Sequence, residues 1–61
     1  MNFEFIYRDG DGNKHTDGVN EERARELLAP TSHNVDEAIR VMVENPGGQM
    51  NCNGGYLRYA R

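Results

Sequence analysis

A single cysteine, Cys52, rules out a disulfide within this chain and with it the staple on which most small secreted domains depend. Tryptophan is absent, and Ser32 is the only serine. That serine falls at a helix-capping position, which leaves serine-nucleophile chemistry without support. No apolar run approaches the roughly 18 residues of a membrane-spanning helix. The leading segment MNFEFIYRDGDG has neither the basic start nor the apolar core of a secretory signal. Since the chain begins with Met1 and keeps an unpaired thiol, it is expected to be a small cytoplasmic protein, complete as it stands.

Acidic residues are also missing from one region. Residues 45–61 contain none, and their only charges are Arg58 and Arg61. Residues 1–44 hold all ten acids against five of the seven bases, a net of −5. The whole chain carries −3, which argues against non-specific binding to a phosphate backbone. Any anion-binding face is therefore expected to involve the C-terminal segment.

Sixty-one residues allow one domain, 1–61. A chain of this size buries only about 60% of its unfolded surface. Chains below roughly 70–80 residues usually need a disulfide, a metal, a partner or very regular packing. Hydrophobic residues make up 36% and charged residues 28%, a lean but still globular balance. The aromatics Phe3, Phe5, Tyr7, Tyr56 and Tyr59 lie near the two ends, which are expected to meet in one core.

NFEFIYR alternates, with Phe3, Phe5 and Tyr7 on one side and Asn2, Glu4, Ile6 and Arg8 on the other, the period of a half-buried strand. DGDGN then supplies the residue types of a hairpin loop. The stretch Lys14–Val19 follows as a polar strand suited to an edge. Asn20 caps a helix on which Ala24, Leu27 and Leu28 share a face, and Pro30 ends it. Asn34, with Glu37 three residues on, has the outline of a capping box. A stripe of Val35, Ala38, Ile39 and Met42 follows, and PGG stops the helix. Valine-rich IRVMVEN also fits a strand, but the cap and the stripe agree on a helix. The tail reads as a strand Gln49–Cys52, an Asn53-Gly54 turn and a strand Gly55–Ala60. The order β-β-α-α-β-β predicts a small α+β domain, an antiparallel sheet of about four strands with two short helices on one face.

RDGDGNKHTDG carries a potential ligand at every second position. A calcium loop of the helix-loop-helix kind requires oxygens at positions 1, 3 and 5, glycine at 6 and a bidentate Glu at 12. Asp9, Asp11 and Asn13 match the first three. Lys14 stands where the glycine belongs, Asn20 occupies the closing position, and Glu21 comes one residue late. A polar hairpin turn explains the stretch better, and no metal or other cofactor is expected. His15, His33 and Cys52 lie in separate elements without the short spacings of zinc sites. PGGQMNCNGGY lacks the lysine of a phosphate loop. No catalytic constellation emerges, and the chain is expected not to be an enzyme.

Two surfaces remain. On the last strand Tyr56 and Arg58 project together, with Arg61 beyond, residue types that suit protein hot spots or stacked bases. Asp9, Asp11 and Asp17, with Glu21 and Glu22, form a second, acidic candidate that suits a basic groove. In size and style the chain is similar to short accessory proteins of phages and other mobile elements. That likeness implies an adaptor or inhibitor, such as an anti-defence factor, which binds a larger protein. The alternative is a single-stranded nucleic-acid-binding module using the C-terminal strand. A homodimer through an exposed edge strand is a further possibility, and no membrane partner is expected.

Overall fold

The computed structural model describes residues 2–45 and 47–60. Its order is β1 (Asn2–Arg8), β2 (Lys14–Asn20), α1 (Glu21–Leu28), α2 (Val35–Glu44), β3 (Gln49–Cys52) and β4 (Gly55–Ala60). The four strands form one antiparallel sheet in the order β2-β1-β4-β3. Both helices lie on one side of it, as the sequence predicts.

The two hairpins meet through their N- and C-terminal strands. Asn2 stands opposite Ala60, Phe3 opposite Tyr59 and Phe5 opposite Leu57, so the chain ends form the middle of the sheet. This is why the aromatics cluster at both ends of the sequence. The polar strand β2 takes one edge, where its unpaired side faces water, and the four-residue β3 takes the other.

Both helices begin with the expected asparagine caps. Asn20 Oδ1 accepts the Arg23 N–H at 2.8 Å, and Asn34 Oδ1 accepts the Glu37 N–H at 3.1 Å. Residues 35–44, valine-rich as they are, form a helix. Val35, Ile39 and Val43 fall on the side that packs on the sheet while Val41 faces out, and the Asn34 cap satisfies the first turn. Arg25 joins the two helices, pairing with Glu21 at 3.3 Å within α1 and with Asp36 on α2.

Phe3 and Leu57 from the central strands meet Ala24 and Leu28 from α1, then Ala38, Ile39 and Met42 from α2, with Cys52 at the margin. Phe5, Val19, Leu27, Val35, Val43, Met50 and Tyr59 pack around them. Ile6 is buried to 2% exposure but lies outside this core. It points to the face of the sheet that no helix covers, between its cross-strand partners Thr16 and Tyr56.

Candidate functional site

The β1–β2 loop is built on Asp9. Its Oδ1 accepts the N–H groups of Asp11 and Asn13, each at 2.9 Å, and its Oδ2 lies 2.7 Å from His15 Nε2. The Asp9 N–H donates to the Asn13 carbonyl and the Gly12 N–H to the Asp9 carbonyl, both at 3.0 Å. Gly12 takes φ 84°, a conformation that favours glycine. Both carboxylate oxygens of the first apparent metal ligand are thus used inside the loop. Among the described residues no three His, Cys, Asp or Glu side chains gather as a metal would require.

The hydrogen bond from His15, then that from the Asn13 backbone, holds the Asp9 carboxyl below the usual carboxylate range. The unfolded chain therefore takes up this proton at a higher pH than the folded chain does. The stability that ionised Asp9 contributes is fully present above the ordinary carboxylate pKa and is lost as pH falls through the lowered value. Urea unfolding followed across that range should show stability dropping with pH, and Asp9→Asn should flatten the dependence. An unaltered slope in the variant would remove Asp9 as its source.

The other candidates are distributed over several parts of the fold. Asp11 is exposed at the loop tip. Asp17 lies on the helix-side face of β2, opposite Phe5. There its charge, followed by partial burial and a hydrogen bond, raises the Tyr7 phenol above its ordinary pKa. Tyr7 stacks between Phe5 at 5.3 Å and His15 at 5.2 Å. His15 and Cys52 occupy strands at opposite edges of the sheet, and His33 sits in the connection between the helices. Burial raises the Cys52 thiol pKa, which works against a thiolate nucleophile. Asp17, on the helix side of the sheet, therefore does not share a surface with Tyr56 and Arg58.

Tyr56 and Arg58 do project together, from the open face of the sheet. Arg58 is not free for a ligand, since it binds Glu4 directly across from it, with Nε donating to Glu4 Oε1 at 3.0 Å and Nη2 donating to the same oxygen. Arg61 lies outside the described residues. Arg8 and Lys14 belong to the same face and stand directly opposite each other on β1 and β2. With Ile6, Tyr56 and the backbone of Gly54 and Gly55 they border a depression of ≈ 370 Å³. Arg8 and Lys14 carry no functional signal in their local sequence. The alternation of NFEFIYR and a five-residue loop over 9–13 would have paired them.

The cross-strand register sorts the charges by face. Among the described strand residues, Arg8, Lys14 and Arg58 share the open face with one acid, Glu4, a net of +2 on a chain whose total is −3. The helices carry six acids against Arg23, Arg25 and Arg40. The chain matches no protein-family model, no curated protein and no solved structure.

Proposed function

We propose that this chain is a non-enzymatic binding protein that docks through the open face of its sheet onto an acidic surface of a larger protein, as an adaptor or inhibitor. The observation that carries this reading is the charge sorting. One face is cationic, presents Tyr56 and has no covering layer, on a chain that is otherwise acidic. Opposite charge on a partner speeds encounter and sets orientation, and aromatic and arginine side chains then hold the complex. No helix among the described residues is long and apolar enough to cross a membrane, and the free thiol suits a reducing cytoplasm. Self-pairing through an edge is less favoured. β2 carries Lys14, Asp17 and Gly18 along its length, and β3 is only four residues long.

The alternative, a single-stranded nucleic acid on the same face, draws support from Tyr56 as a stacking platform. The engagement of Arg58 with Glu4 weakens it, because a phosphate would have to compete with a carboxylate already in place.

A photo-crosslinking residue at Thr16 or Asn51, both exposed on the open face, is expected to yield protein adducts in cells. The same residue at Glu22 or Glu44, on the outer side of the helices, is expected to yield none. Adducts confined to the helix positions would overturn the proposal, and nucleic-acid adducts from the open face would replace it with the alternative.

A further inference from the structure

We infer that the depression bordered by Arg8, Lys14, Ile6 and Tyr56 anchors an acidic segment of a partner protein, seating a carboxylate on the two cations and a neighbouring apolar or aromatic side chain against the ring of Tyr56. This rests on the open face being the docking surface and goes further by naming the chemistry of what docks.

The first support is an electrostatic arrangement that folding alone does not favour. Arg8 and Lys14 are direct cross-strand partners, and like charges in that position destabilise a sheet. Among the described residues neither forms an ion pair, whereas Arg23, Arg25, Arg40 and Arg58 each have a carboxylate partner. Arg8 Nη1 donates to the Gly12 carbonyl at 2.8 Å, which fixes the guanidinium beside the loop and leaves its other donors for a ligand. An anion bridging the two cations would turn their mutual repulsion into attraction.

The second support is shape. The cavity lies at the small end of the roughly 300–1,000 Å³ that ligand sites occupy. That volume exceeds a carboxylate and accommodates one or two side chains of a peptide. Gly54 and Gly55 present backbone alone along one wall, and Tyr56 supplies an aromatic flank. A flat or branched apolar side chain fits there beside the carboxylate.

The third support separates a protein segment from a nucleic-acid strand. A strand of phosphates is held by cations spaced along a track. Here the two unpaired cations sit at one end, and Arg58 toward the middle is neutralised by Glu4. A short acidic segment needs only the local pair.

The test uses the purified full chain and three labelled probes, namely a random glutamate–tyrosine copolymer, polyglutamate and oligothymidylate, with binding read by fluorescence anisotropy. The copolymer is expected to bind, more tightly than either polyglutamate or oligothymidylate. Replacing Arg8 and Lys14 together with alanine should weaken it by about tenfold or more. Tyr56→Ala should weaken the copolymer while changing polyglutamate little. Arg40→Ala, on the outer side of α2, should leave all three unchanged. Lys14→Ala alone should unfold no more easily than the parent, since it removes the opposed charge, and this separates loss of binding from loss of fold. Equal copolymer binding by the double variant, or no copolymer binding, overturns the site. Tighter binding of oligothymidylate assigns it to nucleic acid instead. If open-face crosslinks to protein persist while the copolymer fails, the docking face stands and only this anchoring site is lost.

Discussion

Gly55→Ala is expected to cost about 2–3 kcal/mol of folding stability, a large loss for a surface-proximal methyl group. Gly55 stands opposite Tyr7 in the central β1–β4 ladder. A Cβ there would lie 2.3 Å from the Ile6 carbonyl oxygen, 3.0 Å from the Phe5 ring and 3.1 Å from the Tyr7 Cβ. A ring can rotate, but the Ile6 carbonyl belongs to the backbone of a central strand, so the two strands must part. Stability scales at about 0.05–0.15 kcal/mol per residue, which makes such a cost a substantial share of what a chain of this length has. Gly54→Ala provides the contrast. Its Cβ would meet nothing within 4 Å, but φ is 91°, so only torsional strain of about 1–2 kcal/mol is expected. Urea unfolding of both variants should rank Gly55→Ala as the more damaging. The reverse order would show that β1 and β4 do not approach this closely.

Leu57→Ala is expected to cost about 3 kcal/mol and to lower the melting temperature by about 10–20 °C. Leu57 is fully buried on β4, between Phe5 of β1 and Met50 of β3, beneath both helices. Among the described residues it is one of four large side chains with almost no exposure, the others being Phe3, Leu28 and Met42. With so few such groups the core has little capacity to collapse around the space left behind. Val41→Ala, which truncates a side chain 41% exposed on α2, should stay within about 0.5 kcal/mol of the parent. Thermal unfolding by circular dichroism would measure both. A small loss at Leu57 would mean that the core repacks or that the helices are not seated on this part of the sheet.

These positions differ in how plainly the sequence marks them. Leu57 belongs to an alternating strand, which sets it on the face opposite Tyr56 and Arg58. Gly55 follows the Asn53-Gly54 turn and reads as part of that glycine punctuation, yet its glycine is required by the strand across from it. That strand lies some fifty residues away in the chain, and no local pattern refers to it. The same holds for the candidate site. Tyr56 and Arg58 announce themselves by residue type and alternation, but the Glu4 partner that occupies Arg58 comes from β1. Asp9 looks like a ligand to an ion and serves instead as the hydrogen-bond hub of its own loop.

Local chemistry alone determined the six elements and their order. Strand alternation, asparagine caps, the proline stop and the glycine turns all act within a few residues, so each is written in consecutive positions. Fold class follows from them, because two amphipathic helices and four short strands have few ways to bury their apolar sides. Tertiary structure decided the order β2-β1-β4-β3 and with it the meaning of the charged residues. Pairing the chain ends in the middle of the sheet neutralised Arg58 with Glu4 and placed Tyr56 beside Ile6. The hairpin register brought Arg8 and Lys14 together without an acid to balance them. Charge acts through space, and which charges are neighbours depends on strand register and order, which no short stretch of this chain contains.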